Sequence, residues 1–270
     1  MLKLLPIFSL TTLLGLSFTA CKQDQLPTPP STPKPIVMER NAPGVLIRSH
    51  LQYEQNGNPA TITDSSFTND GLSEIRKYHF FYTKAHKIDY VTTTAYNSLG
   101  ERTLFEQKNF QWEDNVLTAI HHSNEDIEYF SYNAQGKITE ILRTAKNSGP
   151  YWRETYVYNK QGNYTEQRSY QVNKGIARLF SVVNYSDFDQ KRNAYSLIPY
   201  YQHLVSIPAQ QNNAQTLHHA LDFDQDGLLE EDESVTSTFK FLYDTQGLPT
   251  SWQQLDQNYT HTFAAKYQAN

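Results

Sequence analysis

Cysteine is almost absent from this chain, which has one cysteine, Cys21, in 270 residues. A single cysteine excludes an intramolecular disulfide and the zinc sites that need several thiolates. Glycine is also scarce, with 11 residues, and there is no basic excess, because the net charge is −5. That charge disfavours contact with a phosphate backbone, so we expect no nucleic-acid partner.

Long hydrophobic runs are also missing, apart from one interrupted apolar stretch over residues 4–18. Its positively charged start and the small residues that follow are typical of a cleavable secretory signal, which we predict over residues 1–20. The signal ends at Cys21 and so resembles the lipobox of bacterial lipoproteins, in which this cysteine is acylated. The resemblance implies contact with a membrane through an N-terminal lipid. The alternative is ordinary cleavage near Ala20 that leaves Cys21 as a free thiol.

The residues after Cys21 predict a location and a tether. Lys22 stands where an aspartate would retain such a lipoprotein in the inner membrane, so the resemblance implies an outer-membrane lipoprotein. The sequence favours neither the periplasmic face nor the cell-surface face of that membrane. Six of the twelve prolines lie between residues 27 and 43. Because proline-rich segments favour extended polyproline II, the sequence predicts a lipidated tether over residues 21–44.

The remaining residues, 45–270, predict one β-domain. The chain has 19 tyrosines, 14 phenylalanines and three tryptophans, and aromatic residues favour strands. No helical period continues beyond about twelve residues. Alternation is clear where Trp152, Glu154, Tyr156 and Tyr158 fall on one side of a predicted strand.

A short repeat organises this domain: an aromatic residue, then Asn, Asp or Glu, then glycine four residues after the aromatic. Six of the ten glycines outside the signal peptide occupy that position. Copies begin at Tyr53, Tyr96, Tyr132, Tyr158, Phe223 and Tyr243, with looser ones at Tyr82, Trp112 and Tyr185. Asn or Asp opens a type I turn, and glycine in the left-handed conformation closes it with a bulge. Each copy therefore predicts a hairpin, giving an antiparallel meander of roughly fourteen to eighteen strands.

Segments 132–138 and 241–248 resemble YD-type repeats. Together with the lipobox and the tether, they resemble uncharacterised lipoproteins of the Bacteroidota. The resemblance implies a curved, open antiparallel sheet or porin-like half-barrel, and it carries over no catalytic residue. Residues 185–214 depart from the repeat. A membrane-spanning barrel is disfavoured, because both alternating sets of side chains are largely polar.

Residues 222–233 match the twelve-residue calcium loop of an EF-hand. Gly227 would make the sharp turn, and hard oxygen ligands suit calcium. The predicted ligands are Asp222, Asp224, Asp226, the carbonyl of Leu228, Glu230 and Glu233. The alternative is an acidic hairpin without a cation, since the Phe223 copy of the repeat lies inside this segment.

No nucleophile elbow, zinc-binding helix motif or phosphate-binding glycine loop occurs, so we expect no enzymatic activity. We expect a binding or scaffold lipoprotein with a structural calcium loop and a glycan, a peptide or an envelope protein as partner. The alternative is a hydrolase, for instance a glycan-directed one, whose carboxylates come from distant residues. The group Glu125, Asp126 and Glu128 is expected to be solvated surface.

Overall fold

The structure is a computed structural model, and it describes residues 33–205, 207–208, 210–222, 229, 234–256 and 259–268. These described residues belong to one compact unit. The strands are β1 (Pro35–Ala42), β2 (Val45–Tyr53), β3 (Pro59–Thr68), β4 (Gly71–Tyr82), β5 (Ile88–Asn97), β6 (Arg102–Glu113), β7 (Val116–His122), β8 (Ile127–Tyr132), β9 (Ile138–Ala145), β10 (Gly149–Tyr158), β11 (Tyr164–Asn173), β12 (Ile176–Arg192), β13 (Asn212–Leu221), β14 (Ser234–Tyr243), β15 (Pro249–Leu255) and β16 (Thr260–Tyr267). A 3₁₀ helix (Ala194–Leu197) and the helix α1 (Tyr201–Leu204) lie between β12 and β13.

The sixteen strands form a closed antiparallel barrel in which each strand pairs with its neighbours in sequence. Pairing of β1 with β16 closes it, and Met38 lies opposite Ala265. The all-β meander and its strand number are confirmed, but the predicted open sheet or half-barrel is wrong. The closing strand β1 lies within the predicted tether, and Pro35 is tolerated because it begins the strand. The first strand of the barrel therefore lies before residue 45.

Connections in this meander alternate between the two ends of the barrel. Rim A carries the turns from even-numbered to odd-numbered strands, and rim B carries the others. In the β8–β9 turn at rim A, Asn133 Oδ1 accepts hydrogen bonds of 3.0 Å from the backbone N–H groups of Gln135 and Lys137. Gly136 has φ +72°, and the register shifts between Ser131 and Tyr132. This geometry confirms the predicted bulged turn.

The hydrophobic core lies inside the barrel. On β6, Phe110 and Trp112 point inward to the core, whereas Asn109 and Gln111 point outward. The alternation predicted around Trp152–Tyr158 is also observed, with Tyr156 inside and Val157 exposed outside. Successive side chains of each strand therefore face the lumen and the exterior in turn.

Part of the lumen is filled by residues 193–205, here called the inner segment, which connects β12 to β13. Sixteen strands enclose more space than their own side chains fill. Ala194, Ile198 and Leu204 of the inner segment join the barrel core. These residues belong to the stretch that departs from the repeat. No helix in the described part of the chain is long and apolar enough to cross a bilayer.

The start of β13, which follows the inner segment, is held at rim A by the buried side chain of Asn163. Its Oδ1 accepts hydrogen bonds from the backbone N–H of Gln211 at 2.9 Å and of Asn212 at 2.8 Å. Its Nδ2 donates to Asn212 Oδ1 at 3.0 Å. Asn163 is 1% exposed, so these bonds satisfy a side chain that has no access to water.

Candidate functional site

The aromatic residues of the repeat are structural at rim A. Six aromatic residues at or next to the ends of even-numbered strands donate a hydrogen bond of 2.7–2.9 Å to a carbonyl at or next to the start of the preceding odd-numbered strand. Five belong to the repeat, namely Tyr53, Tyr82, Trp112, Tyr132 and Tyr158, and the sixth is Tyr267. Three of the acceptors are the fully buried Pro35, Pro59 and Pro249. Burial raises the pKa of Tyr132 to about 12, so its hydroxyl stays protonated as a donor. These rings therefore support the barrel and do not form an exposed binding platform.

A cavity of about 390 Å³ lies in the lumen between strands β1–β6 and the inner segment. Its floor is apolar and includes Leu51, Ile62 and Leu204, all buried. Arg40 and Glu106, which are exposed, border it on the side toward rim B. The cavity is closed by the inner segment below and opens toward rim B.

Polar groups converge on one wall of this cavity. Asp64 on β3 and Arg76 on β4 are cross-strand partners, and both line it. Arg76 Nη2 lies 3.0 Å from Glu74 Oε1. However, Asp64 Oδ1 and Arg76 Nε are buried and have no hydrogen-bond partner among the described residues. A buried acceptor and a buried donor thus face the same space.

Burial is the main influence on the Asp64 carboxyl and raises its pKa above the ordinary value. A hydrogen bond from Ser49 and the charge of Arg76 oppose this rise only in part. For Arg76, burial lowers the pKa, but Tyr78, Glu74 and Asp64 together outweigh it and raise the pKa. The guanidinium is therefore a permanent donor on this wall.

Two tyrosines of the inner segment form the inner boundary of the cavity. Tyr195 and Tyr201 stack with their ring centroids 5.1 Å apart. Tyr195 also borders a second cavity of about 190 Å³, lined by aromatic residues that include Phe241, Trp252 and Phe263. Its ring meets Trp252 edge to face at 6.3 Å. The Tyr195 side chain thus lies between the cavity that contains the charged groups and the cavity lined by aromatic residues.

A second inward polar cluster lies on β8–β10. Arg143 Nε is 3.1 Å from Glu128 Oε1, and Arg143 Nη1 is 3.4 Å from Glu154 Oε1. The hydroxyl of Tyr156 donates to Glu154 Oε2 at 2.9 Å. Burial lowers the pKa of Arg143, but the two carboxylates outweigh this effect and raise it. Both carboxylates here are partners of one guanidinium.

The expectation that Glu128 is solvated surface is therefore wrong. Its side chain is 7% exposed, because alternation from the buried Phe130 places it on the inner face. Its neighbours in sequence do lie outside, where Glu125 pairs with Lys146 and Asp126 accepts a hydrogen bond from Tyr151.

Only the first predicted calcium ligand, Asp222, lies among the described residues. Its backbone N–H donates to the Phe180 carbonyl at 2.9 Å, and its Oδ2 is 3.7 Å from Arg178 Nε. The other predicted ligands and the predicted acylation site lie outside the described residues: Asp224, Asp226, Leu228, Glu230, Glu233 and Cys21. Within the described ranges, no three His, Cys, Asp or Glu side chains are grouped so that they could hold a metal ion. Calcium binding stays a prediction.

Sequence reasoning missed the Asp64–Arg76 wall. The sequence did contain an indication of it. Asp64 lies two residues from Ile62, and Arg76 lies two and four residues from Tyr78 and Phe80, so each charged residue falls on the same face of its strand as apolar residues. A charged residue on the apolar face of a strand indicates a buried polar site. Their proximity depends on the β3–β4 register, which the repeat does not specify.

No protein-family model and no curated protein matches this chain. Solved structures do match it. A porin-like protein from Bacteroides uniformis ATCC 8492 aligns with a TM-score of 0.55 and 14% identity, covering 87% of this chain and 98% of that chain. The chain has a Bacteroides porin-like fold. A porin-like protein from Bacteroides vulgatus ATCC 8482 aligns with a TM-score of 0.44 and 10% identity, covering 88% of this chain and 100% of that chain.

At such low identity the comparison shows the fold and nothing further. It confirms the porin-like barrel that the resemblance implied, in closed rather than open form. The YD-type repeat family and the lipoprotein family stay predictions.

Proposed function

We propose that this protein is a lipid-anchored protein of the bacterial envelope that binds a small molecule inside its barrel. The observation that carries the proposal is the cavity of about 390 Å³ with an apolar floor and converging polar groups. Ligand sites typically have volumes of about 300–1,000 Å³ and combine mostly apolar walls with a few placed polar groups. The sequence predicted a glycan, a peptide or an envelope protein as partner, and the present proposal places a small-molecule ligand in the lumen.

The distribution of side chains supports a wall that faces water. A membrane-spanning barrel has an apolar outer band and a polar lumen. On β6 the outward Phe105 is followed by three outward polar residues, Gln107, Asn109 and Gln111, and the inward Phe110 is buried in the core. Attachment to the outer membrane would then come from the predicted lipid at Cys21. The likeness to Bacteroides porin-like proteins supports an envelope location for this account.

The test is a thermal-shift screen of a small-molecule library on three purified full-length proteins. In Ile47→Trp, the new side chain fills the mouth of the cavity, which Ile47 borders. In Ile75→Trp, the same exchange falls on the outer face, because Ile75 lies between the inward Glu74 and Arg76. The parent is the reference.

Compounds that raise the melting temperature of the parent and of Ile75→Trp, but not of Ile47→Trp, would support binding in the lumen. A ligand bound only by the folded state stabilises it by about 2.7 kcal/mol at a hundredfold excess over Kd. Compounds that act equally on all three proteins, or no active compound at all, would refute the proposal.

A further inference from the structure

We infer that the ligand of the lumen cavity is a neutral, hydroxyl-rich molecule of the carbohydrate class. This inference rests on the proposed function and specifies the chemistry of the same cavity. It is carried by the two buried polar atoms without hydrogen-bond partners among the described residues, Asp64 Oδ1 and Arg76 Nε. Both residues line the cavity from adjacent positions on paired strands.

These two atoms require opposite partners. A carboxylate oxygen accepts hydrogen bonds, and a guanidinium N–H only donates them. An anionic ligand would satisfy Arg76 but would face the charge of Asp64, and a cationic ligand would have the reverse conflict. A pair of neighbouring hydroxyl groups satisfies both, because one can donate to Asp64 while the other accepts from Arg76.

The charges around the cavity are balanced. Arg40, Lys108 and Glu106 border it together with Asp64 and Arg76. Two of the cations are already engaged, since Arg76 contacts Glu74 at 3.0 Å and Lys108 Nζ donates to the Leu204 carbonyl at 3.0 Å. The cavity lining carries three cationic side chains, Arg40, Arg76 and Lys108, and three anionic ones, Glu39, Asp64 and Glu106. Such a wall gives no net field that would select an ion.

The rest of the cavity suits the carbon skeleton of a sugar ring. Leu51, Ile62 and Leu204 form an apolar floor. The stacked rings of Tyr195 and Tyr201 lie beside it and offer aromatic surface. A pyranose has hydroxyl groups at its edge and C–H groups on its faces, so it matches both halves of the cavity at once.

The competing occupant is ordered water, which also donates and accepts hydrogen bonds and commonly satisfies buried polar groups. Isothermal titration calorimetry on the purified full-length protein separates the two. The probes are glucose, galactose, mannose, maltose and cellobiose as neutral sugars, glucuronate as the anionic analogue and glucosamine as the cationic one.

The variants are matched across the two faces of the same strand pair. Asp64→Leu and Arg76→Met remove the inward pair, whereas Thr63→Leu and Lys77→Met change the cross-strand partners on the outer face. We expect at least one neutral sugar to bind in preference to both charged analogues. Each inward variant should weaken that binding by about tenfold or more, and each outward variant by less than about twofold.

A preference of more than about tenfold for glucuronate or glucosamine would overturn the inference. So would the absence of sugar binding while the thermal-shift screen finds another ligand that Ile47→Trp excludes, and the proposed function would then stand. If neither sugars nor any library compound bind, the cavity holds water only, and both proposals fall. Should an inward variant not fold, the comparison of neutral and charged sugars on the parent protein decides.

Discussion

The hydroxyl of Tyr158 lies 2.8 Å from the carbonyl oxygen of Ile138 and donates a hydrogen bond to it. Tyr158 ends β10 and Ile138 begins β9, so the bond joins the ends of two neighbouring strands at rim A. Five equivalent bonds occur around this rim in the described residues. The aromatic position of the repeat therefore does more than fill a strand, because it satisfies a carbonyl beside a bulged turn.

Replacing Tyr158 by Phe should lower the free energy of unfolding by about 1–3 kcal/mol, since a partly buried carbonyl loses its donor. The matched control is Tyr96→Phe. Tyr96 belongs to a copy of the repeat at rim B, and its ring lies on the outer face near Lys77. Urea denaturation measures both variants. Equal losses in the two would show that the bond to the carbonyl contributes nothing specific.

His203 should make the barrel less stable in acid. It is buried against Trp112, Phe130 and Tyr200, and burial lowers its pKa to about 4. Since its pKa in the unfolded chain is near 6.5, the unfolded state binds more protons between these values. Stability contributed by neutral His203 is therefore complete above about pH 6.5 and is lost as the pH falls toward 4, by roughly 3 kcal/mol.

Urea unfolding at pH 7, 5.5 and 4 would measure this loss. His203→Phe should reduce it, because phenylalanine keeps an aromatic ring in the same surroundings and takes up no proton. His79→Phe, at an exposed position on β4, is the control and should retain the full loss. An unchanged pH dependence in His203→Phe would assign the acid sensitivity to other groups.

Arg143→Met should destabilise the protein by about 3–5 kcal/mol, because it leaves the carboxylates of Glu128 and Glu154 without their shared cation. Adding Glu128→Gln and Glu154→Gln to the same protein should recover most of the loss, since no buried charge then lacks a partner. Urea denaturation of the single and triple variants checks this. A loss below about 1 kcal/mol in the single variant would mean that water solvates the cluster.

Calcium binding by the predicted loop, residues 222–233, is tested by thermal unfolding in EDTA and in millimolar calcium. The parent should melt at a higher temperature in calcium, with about 2.7 kcal/mol of stabilisation at a hundredfold excess over Kd. Asp226→Ala combined with Glu233→Ala should abolish the difference. Identical curves for the parent in both buffers would reduce residues 222–233 to an acidic hairpin.

Local features of the fold were predictable from the sequence, because they depend on residues that are close together in the chain. The turn at Asn133–Gly136 and the alternation from Trp152 to Tyr158 are of this kind. Closure of the barrel was not predictable, because it depends on the pairing of β1 with β16, which lie at opposite ends of the domain. In addition, β1 lies in a proline-rich stretch whose composition is typical of a tether. The cross-strand pairing of Asp64 with Arg76 was not predictable either, because it depends on the register between β3 and β4.

Cysteine protection tests binding in the lumen most directly. Thr93 lines the cavity and is 4% exposed, while Thr94 is its outward neighbour on β5. In a Cys21→Ser background, Thr93→Cys and Thr94→Cys would be treated with a small thiol reagent, with and without the strongest compound from the thermal-shift screen. We predict that the compound slows labelling at position 93 by about tenfold and leaves position 94 unchanged. Equal labelling at position 93 with and without the compound would contradict binding in the barrel.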